Sequence, residues 1–231
     1  MNAVRVRAHG EPFFLAMMLV LSGLVLAGFG PSFYFPGADR SVLSPALQIH
    51  GVIFSLWMLL LITQASLIPA GRYGLHKAMG LLSLPLVAAM IVFGFLAIGD
   101  AYARGVDSFG SPEQFVIVPF MDIVGFAGIY IAGLLFRGRP ATHKRLMLLA
   151  TVYAILPATA RIGILYFSNE FIGLILQIVL FLAVMAHDLI SRRALHPATL
   201  IVFGLSLLRV GLLFGFGPSA AWADLVRSVL G

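Results

Sequence analysis

The chain contains no cysteine, which excludes disulfides, thiolate-bound metals, iron–sulfur clusters and a cysteine nucleophile. Charge is almost as scarce. Only 10% of the 231 residues are Asp, Glu, Lys or Arg, where a soluble domain carries about 25%. Water cannot solvate a surface built from so few charges. Long polar stretches are missing too, so the sequence leaves no room for a separate soluble domain. The 61% of hydrophobic residues instead fall into runs that occupy nearly the whole length.

Crossing roughly 30 Å of hydrocarbon takes about 20 helical residues. Seven segments meet or approach that length: Phe13–Phe29, Ala46–Ile68, Ala78–Ile98, Phe115–Phe136, Leu146–Phe167, Phe171–Ile190 and Ala198–Gly217. Turn chemistry separates them, as in Gly30-Pro31, Pro69-Ala70-Gly71 and Gly138-Arg139-Pro140. The expected fold is an all-α, polytopic bundle of seven transmembrane helices forming one membrane domain over residues 1–231. Pro85 and Pro157 stand inside spans and are expected to kink the third and fifth helices.

The formal net charge of +6 comes from basic residues in short turns. That placement fits contact with anionic lipid headgroups and gives no support to nucleic-acid binding. Counting Lys and Arg sets direction. With the N-terminus cytoplasmic and the C-terminus outside, Arg5, Arg7, Arg72, Lys77, Arg137, Arg139, Lys144, Arg145, Arg192 and Arg193 lie inside, and Arg40, Arg104 and Arg227 lie outside. A bacterial inner membrane is the expected location. The first segment has signal-peptide character but no small-x-small cleavage pattern, so it is expected to be retained.

Four histidines follow an arginine by four residues: Arg5/His9, Arg72/His76, Arg139/His143 and Arg192/His196. The closest copies read RYGLHKAMG and RPATHKRLM. Repeated hairpins needing an interfacial arginine explain the pattern in one way. A functional reading also exists. A helix N-terminus disfavours imidazolium, and neutral imidazole is the form that binds metal. His76, His143 and His187, expected at similar depth, then form a candidate metal site. Asp188 reads either as an orienter of His187 or as an exposed interfacial charge.

The polar residues too deep for headgroups carry more information. His50, Asp122, Arg161, Gln177 and Arg209 lie in five different spans, all roughly 8–13 Å below the outer boundary at 1.5 Å per residue. An intramembrane charge costs at least about 2.5–3.5 kcal/mol, so such groups face partners or a wet cavity. Asp122 neutralises one arginine and leaves the other in excess. That surplus points to a small-molecule ligand: a haem propionate, a quinone oxygen, a lipid headgroup or an acidic solute. The competing account has Arg209 snorkelling to the interface while Asp122 and Arg161 merely lock two helices.

Taken together, His50, Trp57 and Gln64, then Gly71-Arg72, His76-Lys77 and Gly80, then His143-Lys144-Arg145-Leu146-Met147 and Arg161 resemble a family of uncharacterised bacterial multi-pass membrane proteins. The chain also resembles, more faintly, transmembrane b-type cytochromes, which hold haem between histidines of neighbouring helices. The second resemblance implies a redox protein binding haem b or quinone, with His50 as the ligand. A transporter or binding protein for a small anionic or lipid-like solute is the alternative from the residues themselves. An intramembrane metal hydrolase is a third, though the chain has no His-Glu-x-x-His motif.

Overall fold

The computed structural model describes residues 11–35, 37–108 and 110–231. Long apolar runs without internal turn residues satisfy their backbone groups only as helices when water is absent. Nine helices form among the described residues: α1 (Glu11–Phe29), α2 (Pro45–Leu67), α3 (Tyr73–Ala103), α4 (Pro112–Leu135), α5 (Pro140–Tyr153), α6 (Leu156–Phe167), α7 (Phe171–Arg192), α8 (Pro197–Gly215) and α9 (Ala220–Leu230). Six helices are long and apolar enough to cross a membrane, and the pair α5 and α6, bent by 41°, passes as a seventh span. The all-α bundle expected from the sequence is what forms.

Proline and small polar residues set the helix starts. Ser44 and Ser111 cap α2 and α4, accepting from Leu47 and Gln114 backbone N–H groups, each followed by a proline in the first turn. The arginines of the two best-matched repeats occupy the N-cap positions of α3 and α5. Their carbonyls accept the histidine N–H, Arg72 from His76 at 3.0 Å and Arg139 from His143 at 2.9 Å. The four-residue spacing is therefore one helical turn. Arg192/His196 is different. Arg192 ends α7, Arg193 turns the chain with φ 58°, and the His196 imidazole itself caps α8 by accepting from Ala198 N–H at 3.1 Å. Burial holds that imidazole below the usual histidine range, aided by the Arg145 and Arg192 charges. Arg5/His9 lies outside the described residues.

Proline has unequal effects on the spans. Pro85 sits inside α3, which runs unbroken for 31 residues, so the expected kink there does not end the helix. Pro157 marks the break between α5 and α6. The short helix α9 was not expected as a separate element. It is amphipathic, with Trp222 and Val226 buried and Leu225 and Val229 exposed. It is tied to the start of α4 by Trp222 Nε1–H donating to the Glu113 carbonyl at 2.7 Å, and by Arg227 on the Glu113 carboxylate.

Small residues allow close helix approach. A Cβ at Gly125 would lie 2.3 Å from the Tyr153 ring, and one at Gly173 would lie 2.5 Å from the Ala160 backbone. A Cβ at Gly94 or Gly133 would also meet a neighbouring side chain, whereas Gly128 faces open space. The core between helices is closed by Trp57, which is 2% exposed and donates from Nε1 to Thr151 Oγ1 at 3.1 Å, joining α2 to α5. The turns that hold Arg72, Arg139 and Arg193 define one end of the bundle, the basic end.

Candidate functional site: a polar junction at a broken helix

Pro157 has no N–H, so it cannot complete the helical bond to the carbonyl four residues earlier, Tyr153. The chain turns through Ala154 and Ile155, and the carbonyls of Val152 and Tyr153 are left to other donors. In an apolar interior each unsatisfied carbonyl is costly. Two long polar side chains reach across to them. Gln177 of α7 donates from Nε2 to Val152 O at 2.8 Å and to Tyr153 O at 2.9 Å. Arg209 of α8 donates from Nη1 to Tyr153 O at 2.9 Å.

Arg209 then completes the junction. Its Nη1 also pairs with Asp122 Oδ1 on α4, and its Nη2 donates to Gln177 Oε1 and, at 3.5 Å, to Ser206 Oγ. The guanidinium carbon lies 4.9 Å from the Tyr153 ring centre, adding a cation–π contact. Arg209 is 1% exposed, so it does not snorkel. Asp122 and Gln177 are also buried. Three of the five residues expected at one depth thus meet, linking α4, α5, α7 and α8. Asp122 Oδ2 is buried and has no hydrogen-bond partner. The junction therefore keeps one open acceptor beside a neutralised ion pair.

The other two residues of the expected layer are elsewhere. Arg161 is exposed on α6, with Nη1 3.4 Å from Ser32 Oγ and its guanidinium over the Phe29 ring at 4.9 Å. Its helix turns it toward α1 and away from the junction. One arginine therefore faces one aspartate, and the surplus charge that argued for an anionic ligand is not present there. His50 is half-buried between α2 and α3. Its Nδ1–H donates to the Phe93 carbonyl at 3.2 Å, and its ring stacks on Phe54 at 4.1 Å.

The adjacent helix α3 sets no second histidine opposite His50 for a haem held between two imidazoles. The histidine on the adjacent helix α3, His76, stands in its first turn at the basic end, far along the helix from Phe93.

The candidate metal ligands also part company. His187 stacks flat on Phe13 at 3.9 Å and meets Phe14 edge-on. His76 and His143 face each other instead, with ring centres 6.4 Å apart. Among the described residues no three His, Asp or Glu side chains gather as a metal site.

A second buried ion pair was missed from sequence. Arg145 of α5, counted there among the cytoplasmic charges, is 3% exposed. It donates from Nε to Asp188 Oδ1 at 2.8 Å, with Nη2 at 2.7 Å from the same oxygen, and its Nη1 donates to the Ala141 carbonyl. Asp188 Oδ2 accepts from Thr199 Oγ1 at 2.7 Å and from the His196 backbone N–H at 3.1 Å. Asp188 is fully buried and therefore not an exposed interfacial charge. Every oxygen of this carboxylate is occupied. The basic-end pair is a closed latch on α5, α7 and α8; the junction at the break is an open one.

No family model, curated protein or solved structure matches the chain.

Restoring the missing donor tests the origin of the junction. In Pro157→Ala the new N–H competes with Arg209 for the Tyr153 carbonyl, and the two helices straighten. Because the chain lacks cysteine, spin labels can be placed at Thr142 and Tyr166 alone. Their distance is expected to lengthen by about 2–3 Å, the geometric result of removing the bend at 1.5 Å per residue. An unchanged distance would show that neighbouring helices, not proline, impose the break.

Proposed function

We propose that the chain is a transporter of the bacterial inner membrane, oriented with its N-terminus in the cytoplasm, whose polar junction takes up a proton or a solute bearing a hydrogen-bond donor. The observation that carries this reading is the unpartnered Asp122 Oδ2 beside a helix interrupted within a span. Intramembrane ionisable groups tend to mark ion and substrate pathways. Interrupted helices supply freed backbone groups at such pathways and points about which a bundle rearranges. The Arg209 guanidinium is held by Asp122, Gln177 and the Tyr153 carbonyl together. Proton or donor binding at Asp122 weakens one of those three holds and leaves the other two. That is a local change able to bias how α8 sits against α4.

The orientation rests on the excess of Lys and Arg at the basic end. The redox reading with haem b or quinone draws on the resemblance to b-type cytochromes, but His50, Arg161 and Arg209 lie in three separate places. A pocket for an anionic solute loses the second arginine it required. A donor-bearing solute suits the carboxylate oxygen that remains.

Thiol accessibility tests the proposal. Ser206 lies beside Arg209, is buried, and tolerates the isosteric change to cysteine in a chain with no other thiol. In vesicles of each orientation, Ser206→Cys is expected to react with a membrane-impermeant thiol reagent from both sides, as alternating access requires. Absence of reaction from either side would make the junction a structural lock.

A further inference from the structure

We propose that His76, His143 and Gln64 form a binding site for one divalent transition-metal ion at the basic end of the bundle. The twin Arg-x-x-x-His-Lys segments, 67 residues apart in sequence, start α3 and α5 and bring their histidines together across the two helices. The imidazole planes are nearly perpendicular, at 89°. Each ring is prepared differently. His143 donates from Nδ1–H to the Gly133 carbonyl at 2.8 Å, which fixes the ring and leaves Nε2 as the nitrogen able to ligate. His76 Nδ1 is buried and has no partner.

Gln64 on α2 supplies the third group. Its Nε2 donates to the His76 carbonyl at 3.2 Å, which holds the amide beside His76, and its Oε1 is also buried without a partner. An amide oxygen only accepts. Two shielded atoms left unsatisfied at one spot cost about 1–3 kcal/mol each in a folded protein. With His76 in its Nε2–H tautomer both atoms carry lone pairs, and one electron-pair acceptor would meet them.

A metal ion meets that need. At metal–nitrogen distances of about 2.0–2.1 Å, two imidazoles on one ion have ring centres roughly 5 Å apart at a tetrahedral angle and roughly 6.5 Å apart when they stand opposite each other. The observed 6.4 Å fits the opposed arrangement. Two opposed nitrogens and one neutral oxygen suit tetragonal copper(II) and leave a position for water or a solute. The neighbouring Lys144 turns its ammonium over the Phe14 ring, 4.6 Å from its centre, and Lys77 is exposed. The triad expected from sequence keeps two of its members and exchanges His187 for Gln64. This site is independent of the transport reading, which concerns the far end of α5.

The test uses untagged protein in detergent, stripped with a chelator and titrated with copper(II), read by electron paramagnetic resonance. One equivalent per chain is expected, with hyperfine structure from two imidazole nitrogens. The wild-type spectrum alone decides the ligand set, whatever the variants do to folding. His76→Ala and His143→Ala should abolish the signal. Gln64→Ala should weaken binding by about tenfold, as loss of a supporting ligand does. His187→Ala should leave it unchanged. Absence of saturable binding, a spectrum with fewer than two imidazoles, or undiminished binding in His76→Ala would overturn the assignment.

Discussion

Arg209→Ala is expected to cost about 3–5 kcal/mol, the range for removing one partner of a buried ion pair. The truncated side chain leaves Asp122 enclosed without a counter-charge, with neither of its oxygens paired. It also strips donors from the Tyr153 carbonyl and from Gln177 Oε1. Gln177 alone still reaches both freed carbonyls, so the helix break survives while its anchor to α4 and α8 is lost. Unfolding in graded denaturing detergent, followed by circular dichroism, reads the difference. The conservative Arg209→Lys should recover little. One ammonium cannot reproduce donors aimed at Asp122, Tyr153 and Gln177 from a planar fork.

Asp188→Ala is expected to be similarly damaging, by about 3–5 kcal/mol, for a different reason. Asp188 is the hub: Arg145, Thr199 and the His196 N–H all converge on its two oxygens. Its removal leaves the Arg145 guanidinium with the Ala141 carbonyl and no counter-charge. It also releases the first turn of α8. Thr199→Val, which deletes a single neutral donor, should cost about 1 kcal/mol. The contrast between the two variants, measured by the same unfolding assay, separates a charge latch from ordinary capping. Equal effects would mean that the Arg145–Asp188 pair adds no net stability.

Much of the bundle is legible in the sequence because apolar run length is fixed by helix rise. The spans expected at 46–68, 115–136, 171–190 and 198–217 match α2, α4, α7 and α8 within three residues at either end. Proline position is read less well. Pro85 and Pro157 look alike in sequence, yet only Pro157 has polar side chains from neighbouring helices to receive the freed carbonyls. A break in hydrocarbon requires such receivers, and those depend on tertiary partners.

Depth counted along a helix says nothing of azimuth. Asp122, Gln177 and Arg209 point inward and meet; Arg161 and His50, counted to the same level, point elsewhere. The inward direction was partly readable. Gln177, Phe181, Val184 and Asp188 follow helical spacing along the buried face of α7, and Thr199, Val202, Ser206 and Arg209 do so on α8. Extending the stripe from Gln177 to Asp188 points to the second latch. The positive-inside count concealed it, since Arg145 sits among residues that do face the interface. The contact of Gln64 with His76 has no such one-dimensional signal.

The junction depends most on the side chains of Asp122 and Arg209 acting as one unit in the membrane interior. A double-mutant cycle of Asp122→Leu, Arg209→Leu and the pair, measured by reversible unfolding, tests this directly. The double variant is expected to be more stable than either single one, with a coupling of at least about 2 kcal/mol. Additive losses, with the double variant the least stable of the three, would contradict it.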